Sequence, residues 1–235
     1  MGLSEWAGLA ATTFFAALLY TISGFGFALL AAPLYLLFVD PTRAIQLVII
    51  ISTALSVVVV PGLRRAVAPW LLLRLVAGSL VGPPVGLVAF RLADQVLVRG
   101  GVGVAILAFA MLMLVSRRGH GRSWAPLAMS PSRDLTAGAV AGITTALVGM
   151  AGPPVLIYLL LAGAGARTVR ATLLAFFALS YGATLASHAA TIGIPGPTWL
   201  AAGVLIPVAF LGGFAGRPVG DRLGAEAFSV QSLSC

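Results

Sequence analysis

Six long stretches of this 235-residue chain contain no charged side chain: 6–39, 44–63, 75–90, 100–116, 135–166 and 171–216. About 20 consecutive apolar residues make one helical crossing of a bilayer. A soluble domain cannot hide so many such runs, because roughly a quarter of its residues would be charged; here 9% are charged and 60% hydrophobic. The chain therefore folds in a membrane, with length for about seven or eight crossings and almost no domain outside it. In lipid every backbone N–H and C=O must be bonded internally, so apolar runs become helices. The fold class is an all-α polytopic membrane protein.

The charges that remain punctuate the spans. Fourteen arginines and no lysine, against six acids, leave a formal charge of +8. Because the arginines lie between apolar runs and not on one soluble face, they read as loop anchors and nucleic acid is excluded as a partner. No basic region precedes the first apolar run, so that run is expected to be a retained span and not a cleaved signal peptide. Gly2 lacks the downstream Ser or Thr of a myristoylation site. The single cysteine, Cys235, excludes an intramolecular disulfide framework.

Two of the uncharged stretches, 6–39 and 135–166, are too long for one crossing and too short for two with a turn. Each is interrupted, the first by Ser23-Gly24-Phe25-Gly26-Phe27 and the second by Gly149-Met150-Ala151-Gly152-Pro153-Pro154. Glycine and proline at such points break helices, and the freed backbone groups need protein or a wet cavity. A third break, Gly193-Ile194-Pro195-Gly196-Pro197, divides 171–216 into spans near 171–191 and 198–216.

The interruptions belong to an internal repeat. Gly24 precedes Gly149 by 125 residues, Arg43-Ala44 precedes Arg170-Ala171 by 127, and Pro69-Trp70 precedes Thr198-Trp199 by 129. Gly82-Pro83-Pro84-Val85-Gly86 then matches Gly216-Arg217-Pro218-Val219-Gly220. Both lie on glycine ladders, Gly78, Gly82, Gly86 and Gly212, Gly216, Gly220. Four-residue spacing bares one stripe of helix backbone and suits close helix crossings in lipid. The expected organisation is a first transmembrane repeat over 1–116, a cytoplasmic linker over 117–134 and a second repeat over 135–235. Only twelve residues follow Leu223, so the counterpart of a span near 98–115 is expected to be missing.

Arginine placement decides between hairpins and single crossings at the interrupted segments, since cytoplasmic loops carry the positive excess. If each segment enters and leaves on one face, eleven arginines share a side and only Arg43, Arg91 and Arg99 oppose them; single crossings give seven against seven. The hairpin reading places the N-terminus outside and makes the two halves inverted.

Paired, interrupted segments in inverted halves point to a transporter's binding site. Half-helix N-termini carry unsatisfied N–H groups and suit an anion. The candidate cradle is Ser23, Gly24, Phe25 and Gly26 facing Gly149, Gly152 and Pro153. Thr53 and Ser180, 127 residues apart on the spans after the breaks, are expected to face the cavity, and Gln46 to face a partner or cavity. Ser52, Ser56, Tyr181, Thr184 and Ser187 are further polar residues within these spans. His188, near the end of its span, reads as interfacial. All six acids fall at span ends, which disfavours a cation substrate. No metal-ligand cluster, P-loop or nucleophile elbow is present, so neither an enzyme nor a cofactor is expected.

The Gly-Phe-Gly-Phe-Ala-Leu-Leu-Ala-Ala-Pro-Leu run at 24–34, Gly-Met-Ala-Gly-Pro-Pro at 149–154, Arg-Ala-Thr at 170–172 and the repeated Gly-x-Pro-Val-Gly resemble the sulfite exporter TauE/SafE family of membrane permeases. The resemblance runs from about residue 6 to Leu223 and lies in the order of the motifs more than in any one of them. It implies a multi-pass inner-membrane permease for small sulfur-containing anions such as sulfite, sulfonates and sulfoacetate, with the broken-helix motifs lining the path. The implied partners are that anion and the lipid bilayer, with a homo-oligomer allowed. The rival expectation is a truncated relative without transport activity that acts as a subunit.

Overall fold

A computed structural model of the chain describes residues 2–23, 26–63, 66–85 and 129–232, with isolated positions at 88, 100, 104, 107 and 111. The span expected near 98–115, the 117–128 part of the linker, and Gly24, Phe25 and Gly86 lie outside the described residues. The helices described along their whole length are α1 Leu3–Ser23, α2 Phe27–Tyr35, α3 Pro41–Leu63, α4 Pro69–Ser79, α5 Pro131–Val148, α6 Gly152–Leu161, α7 Ala166–Thr191 and α8 Gly196–Ser232. Within them Leu3–Ile22, Pro41–Pro61, Arg167–Thr191 and Gly196–Gly216 are long and apolar enough to cross a membrane.

Local sequence sets these boundaries. Proline at the first position of α3, α4 and α5 sacrifices an N–H that would have no helical partner there. Asp40 Oδ1 accepts from Arg43 N at the head of α3 (3.0 Å), and Ser130 Oγ accepts from Arg133 N at the head of α5 (3.4 Å). Gly149 ends α5 in a left-handed turn, φ +73°, its N–H returning to Thr145 O at 2.9 Å. Gly26 opens α2 at φ +115°. Side chains rarely adopt either conformation, so glycine is what lets the chain break here.

Both interrupted segments are hairpins. Tyr35, at the end of α2, bonds Thr13 of α1 through their hydroxyls at 2.6 Å, and the Phe38 ring lies against Gly8. In the second half Tyr158 of α6 donates to Asp134 in the first turn of α5, and Asp134, 1% exposed, also pairs with Arg74 of α4 at 3.1 Å. The chain thus turns back at each break instead of crossing.

The halves interlock by exchanging partners. α1 packs along α8, α5 along α4, and α3 crosses α7 at the centre. Glycines make the outer crossings close: a Cβ on Gly78 or Gly82 would overlap the backbone of Leu135 or Gly142, and one on Gly138 or Gly142 the backbone of Leu75 or Ser79. Gly212 meets Phe14, and a Cβ on Gly216 would lie 2.7 Å from Leu18 O. The glycine ladders are therefore packing surfaces at these four described positions, as their spacing predicts. The contact numbers rise together along both helices of each pair, so α1 runs parallel to α8 and α4 parallel to α5.

Three more bonds orient the rest. Arg43 donates to Pro197 O (3.1 Å) and Gln46 to Gly193 O (3.0 Å), which puts the start of α3 beside the start of α8. Arg170 donates to Thr21 O (2.9 Å), which puts the start of α7 beside the end of α1. Consequently α1, α3 and α8 begin at one end of the bundle and α4, α5 and α7 at the other. Phe27, Tyr35, Ile49, Leu75, Met150 and Phe176 are buried between helices, whereas Phe15, Val57, Leu200 and Leu211 face outward, the inside-out economy that lipid permits. Trp70 and Trp199, 72% and 47% exposed, stand in the first turns of α4 and α8, at opposite ends, as interfacial tryptophans do.

Candidate functional site

A small, partly open pocket lies where the two breaks meet the midpoints of α3 and α7, with about 340 Å³ of non-atom space when the open solvent at its mouth is counted. Gly26, Phe27, Ala28 and Leu29 contribute the start of α2, and Met150, Gly152 and Pro153 the start of α6. Ser52 of α3, Tyr20 of α1 and Phe177 and Tyr181 of α7 complete the lining. None of these side chains carries a charge.

The two helix starts differ in what they offer. In α2 the first helical bond runs from Leu30 N to Gly26 O (3.1 Å), so the N–H groups of Phe27, Ala28 and Leu29 have no helical carbonyl behind them. All three residues line the cavity. In α6 the second and third positions are Pro153 and Pro154, which have no N–H to give. Ala151 N–H is taken by the Tyr181 hydroxyl (3.3 Å), which itself donates to Gly149 O (3.1 Å). Gly152 N–H is the donor left on that side. The cavity is therefore rich in donors toward α2 and apolar toward Met150, Pro153 and Phe177.

Hydroxyls add to this. Ser52 Oγ is buried in a residue 1% exposed and stands by the Tyr181 hydroxyl, yet no partner meets hydrogen-bond geometry with it. A buried hydroxyl facing a cavity without a partner is a group waiting for one. Tyr20 is engaged, its hydroxyl 2.8 Å from Ser56 Oγ, and its ring lies 6.4 Å from that of Phe177. Tyr181 spans the second break as a splint, tying both sides of Met150 to α7. First-turn N–H groups at a helix start, an unpartnered hydroxyl and a lining without carboxylates among the described residues are features that suit a small anion.

The match to the sequence expectations is partial. Gly26, Gly152 and Pro153 line the cavity, and Gly149 forms the break behind it. Gly24 and Phe25 lie outside the described residues, and of Ser23 only the backbone, at the end of α1, is described. Three other residues lie off the cavity. Gln46 meets a partner instead, its amide donating to Gly193 O in the turn between α7 and α8. Thr53 bonds its own helix at Ile49 O, 2.7 Å away, and is absent from the lining. Ser180 is buried but also lies off the cavity. The residues that do face it, Ser52 and Tyr181, are each one position away, about 100° around the helix. His188 is buried in the last turn of α7, at the end of its span, and does not line the cavity. Met150 lies within the second interruption that the sequence marks, whereas Tyr20 and Phe177 carry no sequence signal that separates them from core.

A family model described as Sulfite exporter TauE/SafE matches residues 9–231. The chain belongs to the TauE/SafE sulfite exporter family. Neither the curated proteins nor the solved structures yield a match. TauE/SafE proteins are sulfite-exporter-type membrane transporters and not enzymes, which agrees with the motifs and with the apolar helices. In a TauE/SafE protein a mid-bundle cavity with anion-seeking donors is the natural candidate for the substrate's resting place.

Proposed function

We propose that this chain moves a small sulfur-containing oxyanion, sulfite or an organic sulfonate such as sulfoacetate, across the inner membrane by alternating access between two inverted repeats, 1–116 and 135–235, joined by a cytoplasmic linker at 117–134. The observation that carries this reading is the meeting of two interrupted helices at one uncharged cavity, with the first-turn residues Phe27, Ala28 and Leu29 on one side and Gly152 on the other. Helix starts of this kind attract negative charge without a fixed cation, so the anion is held without being trapped. Inversion is supported by the directions of the helices: elements at equivalent places in the two halves begin at opposite ends. Arginine counting supports a cytoplasmic side at the end where α4, α5 and α7 begin.

The anion sits with its oxygens toward Phe27, Ala28, Leu29 and Ser52, assisted by Gly152 N–H. The apolar wall of Met150, Pro153 and Phe177 accommodates a short organic tail. Purified protein in liposomes should accumulate radiolabelled sulfite well above protein-free vesicles, with unlabelled sulfonate competing. Uptake equal to that of empty vesicles, from protein that is folded and inserted, removes this reading. Topology has its own check: cysteines placed at 43 and 167 in a Cys235→Ser background should be labelled from opposite sides.

A further inference from the structure

Arg43 and Arg170 occupy equivalent places in the two halves, 127 residues apart, one in the first turns of α3 and the other in the first turns of α7. Those helices pack against each other at the centre and begin at opposite ends of the bundle. Each arginine is partly buried, and each uses one terminal nitrogen on a backbone carbonyl, Pro197 O for Arg43 and Thr21 O for Arg170. In both, Nε is fully buried with no hydrogen-bond partner. Neither guanidinium forms an ion pair with a described residue, as Arg74 does with Asp134, although Asp40 stands in the same turn as Arg43 and binds its backbone N–H.

Two half-buried cations with idle donors are costly in a membrane bundle, and ionisable groups kept there serve an ion path or a partner. Position says which. Arg170 reaches the carbonyl of Thr21, whose neighbour Tyr20 lines the cavity. Along its own helix Arg170 lies seven residues from Phe177, about 10 Å, and Arg43 lies nine residues from Ser52, about 14 Å. Beside Arg43 the Thr198 hydroxyl, in a residue 1% exposed, is also unpartnered. A guanidinium presents a planar set of N–H donors that fits an oxyanion.

We infer that Arg43 and Arg170 are two outer stations for a small oxyanion, one at each mouth, which hold it briefly before and after the cavity. This rests on the transport reading above and adds the two stations between which the cavity lies.

The test uses phenylglyoxal, which modifies arginine, on the unaltered protein in maltoside micelles, with sites mapped by mass spectrometry. Methanesulfonate, a sulfur oxyanion that unlike sulfite does not add to the reagent's aldehyde, should slow modification of Arg43 and Arg170 at least fivefold and leave Arg167, exposed on the same helix as Arg170, unchanged. No protection, or equal protection of Arg167, overturns the inference. So does protection that anionic lipid provides alone and methanesulfonate does not increase, because the oxyanion would then be a lipid phosphate. In liposomes, Arg170→Gln keeps a donor for Thr21 O but loses the charge. It should raise the KM for sulfite about tenfold from the face where α7 begins and less than twofold from the other. Arg43→Gln should do the reverse, and the Lys variants should recover to within threefold. A Lys variant as poor as Gln, or a Gln variant equal to the unaltered protein, reduces these residues to helix caps. Protection in the micelles without transport in liposomes would spare the stations and remove the transport reading.

Discussion

The two hairpins share a plan and differ in how they are held. The first is closed at its base by a neutral pair of hydroxyls, Thr13 and Tyr35, and the first turn of its returning helix, Phe27 to Leu29, keeps all three of its N–H groups because it holds no proline. The second is closed by a buried carboxylate that binds Tyr158 and Arg74, and its break is splinted by Tyr181 to α7. Its returning helix begins with two prolines and offers one N–H. On the proposed function the first hairpin would supply most of the donors, while the second is the more firmly braced.

The largest effect should come from the binding hairpin. Gly26→Val places a branched side chain at φ +115° and in the cavity, so sulfite uptake should fall at least about 100-fold with insertion preserved, as judged by gel filtration in detergent. Gly152→Val, at an ordinary helical position, should cost about tenfold. The reverse order would make α6 the principal binding element and overturn the comparison.

Next come the hairpin bases. Asp134→Ala strands Tyr158 and the partly exposed Arg74, and should destabilise the protein by about 2 kcal/mol in detergent unfolding. Thr13→Val removes one neutral bond and should cost about 1 kcal/mol. Equal losses would mean that the second hairpin is no more firmly held than the first.

Smaller changes separate binding from bracing. Ser52→Ala should raise the KM for sulfite about fivefold, roughly one hydrogen bond, with the maximal rate within twofold. Tyr181→Phe keeps the ring beside Phe177 and removes both splinting bonds. Hydrogen exchange should quicken severalfold at 149–152 and stay unchanged at 26–29. Faster exchange at both breaks would show general loosening and no splint. The smallest effect is assigned to Thr53→Val and Ser180→Ala, whose uptake should lie within twofold of the unaltered protein; a fivefold loss at Thr53 would return it to the cavity wall.

Much of this molecule was legible in the order of its residues. Uncharged runs fix the crossings because lipid accepts few charges, glycine and proline fix the breaks because other residues cannot turn there, and the repeat offsets pair the elements. The arginine distribution distinguishes a hairpin from a crossing, and the contacts of Gly8, Thr13 and Asp134 agree with it. Tertiary structure alone decided which face of each span looks inward. A helix that is apolar all round has no polar stripe to orient it, so Thr53 and Ser180 were as eligible as Ser52 and Tyr181, and a rotation of about 100° separates the two choices. The same holds for Gln46 and Arg170, whose partners at Gly193 and Thr21 lie 147 and 149 residues away. Periodicity reports on neighbours within a helix, and only the packing of distant segments determines what a polar side chain meets at its tip.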